Sequence, residues 1–150
     1  SVTLIGGEPG IGKSTLLLQS AAALARQVPT LYATGEESLK QVGLRARRLG
    51  LGDAPLRLIA ETSVERVVES ALDAQSRVLI VDSIQTMGTD DVESSPGSVS
   101  QLRESAARFV SHAKGTGTAV LMIGHVTKEG TIAGPRVLEH VGQRLLRHAQ

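Results

Sequence analysis

The chain has no cysteine and almost no aromatic residues: its 150 residues include one Tyr, one Phe and no Trp. Without cysteine, disulfide bonds and thiolate metal sites are excluded, and the composition is compatible with the cytoplasmic location that we expect. Because large aromatic side chains are scarce, the core must be built from Leu, Val, Ile and Ala, as is typical where helices cover a parallel sheet.

Long apolar runs and an excess of charge of one sign are lacking as well. No run approaches the ~20 apolar residues that cross a membrane, and no signal peptide precedes the first predicted strand, so we expect no membrane partner. The net charge of +1 at pH 7 means that any contact with nucleic acid must be local. The composition, 41% hydrophobic and 21% charged, predicts one folded domain over residues 1–150. Since the chain opens on a predicted strand without Met, we expect it to be a piece of a longer chain.

A glycine-rich segment near the start carries the strongest motif. Residues 7–14 match G-x-x-x-x-G-K-[ST], the phosphate-binding loop of nucleotide hydrolases. In such a loop, backbone N–H groups approach phosphate oxygens, the lysine reaches the β- and γ-phosphates, and the hydroxyl can ligate Mg²⁺. We therefore predict that ATP and Mg²⁺ bind here, with the nucleotide held by Gly7, Glu8, Pro9, Gly10, Ile11, Gly12, Lys13, Ser14 and Thr15.

The segments that flank this loop decide between function and chance. Residues 2–5 are apolar and β-branched, which predicts a buried strand, and residues 15–25 are rich in strong helix formers. Strand, loop and helix in this order aim the N-terminus of a helix at the phosphates. A glycine-rich turn that matches by chance is the alternative, and both flanks argue against it.

The rest of the chain alternates between predicted strands and helices. Apolar runs predict further strands at 30–34, 56–60, 77–83 and 118–124. Helical periodicity and caps predict helices at about 38–49, 63–74 and 99–113. Polar composition predicts loops at 88–98 and 127–135. This alternation implies an α/β fold with a mostly parallel sheet and helices on both faces.

Acidic residues lie at or just beyond the carboxyl ends of two predicted strands. Asp82 comes after four apolar residues in a Walker B pattern, so we predict that Asp82 and Ser14 hold Mg²⁺. An isolated Asp at a strand end is more often a turn or cap residue, but the phosphate loop makes the metal role the stronger interpretation. Glu36 and Glu37 follow the second strand, where a carboxylate could orient or deprotonate water. The alternative is a solvated acidic pair that opens a helix.

Basic residues near the same predicted edge have two interpretations each. His125, after the fifth strand, could hydrogen-bond the γ-phosphate and report its loss, or be an ordinary loop histidine. Lys128 and Arg136 flank a glycine-containing loop and either contact phosphates of DNA or nucleotide or are solvated. The acidic tip of the 88–98 loop argues against phosphate contact there, so Arg103 in the next helix is the better candidate.

In combination these motifs resemble one family, that of bacterial RadA (also called Sms), RecA-like ATPases of DNA recombination and repair. The resemblance runs from Val2 to about His140 and is carried by residues 4–19, 35–38, 81–86, 97–104, 124–130 and 132–140. It implies a RecA-like P-loop NTPase core, a homo-oligomer in the form of a hexameric ring, ATP hydrolysis and single-stranded DNA in the central channel.

The resemblance also implies roles for individual residues. Lys13 and Ser14 would bind phosphate and Mg²⁺, Asp82 would be the Walker B residue, and Glu36 would be the catalytic carboxylate. Lys13 would stabilise charge during attack of water on the γ-phosphate, and His125 would relay the nucleotide state to the DNA-facing loops after Asp82 and after itself.

Parts of the family pattern lie outside this sequence. The family's four-cysteine zinc module, its Lys-Asn-Arg-Phe-Gly motif and its Lon-protease-like domain are not in the 150 residues. Residues 141–150 do not resemble the family, and their apolar residues recur at near-helical intervals, so we expect an atypical tail and a missing sixth strand.

Two other functions compete with a DNA-dependent ATPase. A RecA-like assembly or signalling ATPase would use nucleotide to form a ring without DNA as its substrate. A small-molecule kinase would transfer phosphate to an acceptor and would not need a carboxylate that activates water.

Replacement of Lys13 by Ala tests the phosphate loop. Loss of a charge-assisted contact should weaken Mg-ATP binding by ~1.5–3 kcal/mol, which calorimetric titration can measure. Equal affinity in the variant and the parent would contradict a working loop.

Overall fold

Five strands alternate with four helices in the computed structural model, which describes residues 1–7 and 12–125. The strands are β1 (Val2–Gly7), β2 (Thr30–Thr34), β3 (Arg57–Ala60), β4 (Val78–Asp82) and β5 (Ala119–His125). The helices are α1 (Lys13–Ala25), α2 (Leu39–Arg48), α3 (Val64–Asp73) and α4 (Val99–Thr116). A short 3₁₀ turn, Ile84–Thr86, follows β4 and was not predicted from the sequence.

The strands form one sheet in the order β1-β5-β4-β2-β3, and every neighbouring pair is parallel. Strand β4 lies at the centre and is buried along its whole length. Its apolar residues come in an unbroken run because both faces of the sheet are covered. The predicted α/β fold with a parallel sheet is therefore confirmed.

Alternate residues of the strands enter two apolar layers. Tyr32 and Ile80 pack with Leu18 of α1 and with α2 on one face. Leu79 packs with Phe109 of α4 and with α3 on the other face. Because successive strand residues point to opposite faces, a strand such as β4 contributes to both layers. Helices thus cover both faces, as the alternating pattern predicts.

Serine caps begin three of the helices. The Ser38 hydroxyl accepts a hydrogen bond from the backbone N–H of Gln41, whose side chain accepts one in return from the Ser38 N–H, a capping box. Ser63 and Ser98 cap α3 and α4 through the backbone N–H three residues on. The prediction that α4 ends at about residue 113 was wrong by three residues. The helix ends instead at Thr116 and is capped by Gly117, which has the left-handed φ of 75° that glycine adopts readily.

The polar 88–98 segment is held in place by one buried side chain. The Gln101 amide oxygen accepts the backbone N–H of Thr89 at 2.9 Å. Its nitrogen donates to the carbonyl oxygens of Thr89, Val92 and Ser94 at 3.2, 2.8 and 2.7 Å. Glu65 of α3 accepts hydrogen bonds from the Thr89 hydroxyl and from a neighbouring backbone N–H. The loop is therefore anchored to both helices of its face.

Within the described part of the chain, none of the helices combines the length and the apolar character that a membrane crossing requires.

Replacement of Gln101 by Met tests this anchor. Met keeps the approximate length but leaves a buried N–H and several carbonyls without their partner, so the free energy of unfolding should fall by about 1–3 kcal/mol. Chemical denaturation measures the change. Gln19, which is exposed on α1, provides the matched control. A Gln101 variant as stable as Gln19→Met would show that the anchor contributes little.

Candidate nucleotide-binding site

The ends of four strands bring the predicted site residues to one edge of the sheet. Gly7 ends β1, Asp82 ends β4 and His125 ends β5, while Glu36 lies two residues beyond β2. The register pairs Thr34 with Asp82 and Gly7 with His125. Because all strands are parallel, their carboxyl ends lie at the same edge, where ligands bind in open α/β sheets.

The start of α1 has the features of an anion site. Gly12 precedes the helix with a φ of 83°, a left-handed conformation that residues with a Cβ rarely adopt. The first turn carries no acidic residue, and no described side chain caps it. The N–H groups of a helix N-terminus and its dipole favour bound phosphate. Lys13 and Ser14 are the first two residues of this helix.

Several predicted residues lie outside the described residues. These are Glu8, Pro9, Gly10 and Ile11 of the loop, Lys128, Arg136 and the atypical tail 141–150. The Lys13 side chain is likewise outside the description. Their roles stay predictions.

Asp82 is the buried carboxylate of the site, with a relative exposure of 1%. Its Oδ2 accepts hydrogen bonds from the Tyr32 hydroxyl at 2.7 Å and from the Ser14 hydroxyl at 3.0 Å. Burial raises the pKa of Asp82, and the two hydrogen bonds act in the opposite direction. Burial and the neighbouring carboxylate also raise the pKa of Tyr32, so its hydroxyl remains a donor.

The second oxygen of Asp82 indicates where a cation fits. Oδ1 is buried and has no hydrogen-bond partner among the described residues. Those residues contain no cluster of three or more metal-binding side chains. Mg²⁺ bound with a nucleotide does not require one, because it uses one or two protein oxygens together with phosphates and water. Asp82 and Ser14 therefore fit the predicted Mg²⁺.

Glu36 and His125 are brought together across 89 residues of sequence. His125 Nε2 lies 2.5 Å from Glu36 Oε1, and the Ser83 hydroxyl donates to the same oxygen at 2.8 Å. The side chain of Glu36 is 35% exposed and that of His125 is 24% exposed. Water can reach this pair, in contrast to the buried Asp82 beside it.

Glu37 has a different partner from Glu36. It forms an ion pair with Arg45 of α2, and this hydrogen bond raises the pKa of Arg45. The Thr34 hydroxyl accepts the backbone N–H groups of both glutamates, at 3.3 Å for Glu36 and 3.0 Å for Glu37. The separate partners favour Glu36 as the residue that handles water, although the choice stays a prediction.

Gly35 lets the loop after β2 approach the turn after β4. Its N–H donates to the carbonyl of Asp82 at 2.8 Å, and a Cβ at this position would lie 2.1 Å from the Thr86 hydroxyl oxygen. That hydroxyl donates to the Ser83 carbonyl at 2.7 Å. Only glycine fits this contact without displacing Thr86.

Sequence reasoning missed four residues of the site. They are Tyr32, Thr34, Arg45 and Ser83. Tyr32 sits in an apolar strand and its pattern indicates only a core residue, while Ser83 had a signal in its position directly after Asp82. Arg103, proposed for DNA contact, is exposed on α4.

A parallel sheet with a phosphate-loop helix after its first strand and a carboxylate at the end of its central strand defines a RecA-like P-loop NTPase fold. Two solved structures share it. One is an ATPase domain with a TM-score of 0.71 and 12% identity, covering 85% of this chain and 58% of that one. The other is a DnaB-like replicative helicase with a TM-score of 0.72 and 11% identity, covering 86% of this chain and 39% of that one. At these identities the likeness concerns the fold alone.

The chain belongs to the AAA domain family, which matches residues 1–131. It is similar to the DNA repair protein RadA of Pseudomonas aeruginosa, with 56% identity over 97% of this chain and 32% of that protein. RadA of Escherichia coli is 56% identical over 93% of the chain and 30% of the protein, and RadA of Bacillus subtilis is 49% identical over 97% and 32%. The resemblance to RadA is thus confirmed, and the chain spans about a third of the length of these relatives.

Replacement of each glutamate by Gln distinguishes the two. Glu36→Gln keeps the shape but removes the base, so ATP turnover should fall by ~10²–10⁴-fold while nucleotide binding is retained. Steady-state phosphate release and nucleotide titration measure the two quantities. Glu37→Gln is the matched control. If Glu37→Gln lowers ATP turnover more than Glu36→Gln does, the catalytic carboxylate is Glu37 and the assignment is wrong by one residue.

Proposed function

We propose that this chain is the ATP-binding core of a DNA-dependent ATPase that acts in recombination and DNA repair and hydrolyses ATP while bound to single-stranded DNA. The observation that carries the proposal is that two carboxylates at the same edge of the sheet lie in different environments. Asp82 is buried and accepts a hydrogen bond from Ser14, whereas Glu36 is exposed and hydrogen-bonded to His125. A water-cleaving ATPase needs both, and the similarity to RadA supplies the biological setting.

Binding of ATP uses the phosphate loop and α1. The N–H groups of the loop and helix hold the phosphates, and Lys13 contacts the β- and γ-phosphates. Asp82 and Ser14 hold Mg²⁺, which when bound neutralises the charge on the phosphate oxygens. Lys13 and Ser14 begin α1 and Asp82 ends β4, and the packing of α1 against the sheet fixes the positions of these two elements relative to each other.

Glu36 orients and deprotonates the attacking water. Its exposed carboxylate is steadied by Ser83 and His125, and the Thr34 hydroxyl holds the backbone of its loop. General base catalysis of this kind contributes typically ~10²–10⁴-fold to rate.

His125 relays the nucleotide state to DNA. It contacts Glu36 through its ring, and its carbonyl accepts a hydrogen bond from the Gln85 amide at 3.3 Å, in the turn after β4. The histidine thus joins the ends of β5 and β4, from which the two DNA-facing loops leave. Lys128 and Arg136 on the second loop, and Arg103 after the first, contact the phosphates of single-stranded DNA.

The full protein works as a homo-oligomer, a hexameric ring in the cytoplasm. RecA-type sites lie between subunits, and a positive side chain from the neighbour can be worth ~10³–10⁵ in rate. The Lys-Asn-Arg-Phe-Gly motif that would supply this charge is not in the 150 residues, so the segment alone binds nucleotide and hydrolyses it weakly.

The test is ATP turnover by the assembled protein with and without single-stranded DNA. Stimulation by DNA is expected. Nucleotide-dependent assembly without stimulation would favour an assembly or signalling ATPase, and transfer of phosphate to an acceptor in place of phosphate release would favour a kinase.

A charge variant of the same protein sharpens this test. Replacement of both Lys128 and Arg136 by Gln should make the slope of log affinity for DNA against log salt concentration less steep by about 1.4. Each phosphate contact to a single strand contributes ~0.7 to this slope. Arg57 and Arg77, exposed at the opposite edge of the sheet, provide the matched control pair. An unchanged slope would indicate that Lys128 and Arg136 are solvated and do not contact DNA.

A further inference from the structure

Tyr32 is a buried polar residue at the site edge that the mechanism above does not use. It is 1% exposed and packs in the apolar layer against α1, together with Leu18 and Ile80. Its hydroxyl donates to Asp82 Oδ2 at 2.7 Å, across 50 residues of sequence. A Phe ring would fill the same apolar space, so packing by itself does not account for the hydroxyl.

The hydrogen bond from Tyr32 constrains the orientation of the Asp82 carboxylate. With Oδ2 held, the other oxygen keeps a fixed direction, and that oxygen is the buried Oδ1 without a partner among the described residues. The Tyr32 ring is itself fixed by the packing of β2 against α1. A rigid apolar support therefore determines where a metal-binding oxygen lies.

Ser14 supports the same carboxylate oxygen through a second hydrogen bond, which a hydroxyl that ligates metal through a lone pair can retain. It donates to Oδ2 at 3.0 Å in this structure, and its oxygen is also a predicted Mg²⁺ ligand. Tyr32 lies within strand β2 and has no predicted role as a ligand, so its hydrogen bond to Asp82 can persist in both states.

We propose that Tyr32 is a positioning residue for the nucleotide-bound Mg²⁺, because its buried hydroxyl holds Asp82 Oδ2 and thereby presents Oδ1 to the metal or to one of its water molecules. This inference rests on the proposed function and names a residue on which its metal site depends. Outer hydrogen bonds of this kind typically change metal affinity by about 10–100-fold when they are removed.

The test is the Mg²⁺ requirement of Tyr32→Phe. A non-hydrolysable fluorescent ATP analogue is titrated at increasing Mg²⁺ concentration, and its affinity is also measured in EDTA. We expect the Mg²⁺ concentration for half-maximal binding to rise about tenfold or more, with the affinity in EDTA unchanged. A merely structural role of Tyr32 would lower the melting temperature without this separation.

Thr118→Val is the matched control. Thr118 is a buried hydroxyl at the opposite edge of the sheet, where it donates to the Ser76 carbonyl at 3.0 Å. It should lower the melting temperature without changing the Mg²⁺ requirement. If the Tyr32→Phe protein has the same Mg²⁺ requirement as the parent, the inference is contradicted but the proposed function is not. Absence of Mg²⁺-dependent nucleotide binding in the parent would contradict the proposed function, and the inference with it.

A second measurement needs no substitution. Because these 150 residues contain one tyrosine, biosynthetic 3-fluorotyrosine in a protein of this sequence labels position 32 alone. The fluorine resonance should shift when Mg²⁺ is added to the nucleotide complex, beyond any shift caused by nucleotide in EDTA. A resonance that does not respond to Mg²⁺ would overturn the inference even if Tyr32→Phe failed to fold.

Discussion

Parallel pairing of the five described strands is the constraint on which the candidate site depends. Because every strand runs in the same direction, the carboxyl ends of all five lie at one edge, which brings together side chains that are far apart in sequence. Strand β4, buried along its length, carries Asp82 to this edge, and β5 between β4 and β1 carries His125 beside Gly7. Helix α1 begins at the same edge, so its N-terminus faces the position where phosphates would lie.

The two carboxylates at this edge differ in environment, and the difference suits two kinds of chemistry. Asp82 is buried, and the cost of burying its charge is offset only in part by the hydrogen bonds from Tyr32 and Ser14. A buried oxygen without a partner costs roughly 1–3 kcal/mol, a cost that bound metal would remove. Glu36 is exposed to water and held by polar side chains, as a residue that exchanges a proton with water requires.

The segment between β4 and α4 leads away from the site and is held against α3 and α4 by side-chain contacts. Gln101 and Glu65 bind its backbone from two helices, and Arg108 of α4 forms an ion pair with Asp91. Of its acidic side chains, that of Asp91 is thus paired with a basic residue of the protein itself. The expectation that the tip of the segment does not bind phosphates stays a prediction.

The sequence by itself determined the local elements: the phosphate-loop motif, strands at about 77–83 and 118–124, and a helix that begins at Ser38. These follow from periodicity, glycine and capping residues, which act over a few neighbouring positions. Only the tertiary structure decided the order of the strands, the pairing of Glu36 with His125 and of Glu37 with Arg45, and the contact of Tyr32 with Asp82. Those contacts join residues up to 89 positions apart, and hydrophobic patterning does not encode which polar groups meet when strands of similar composition pack side by side.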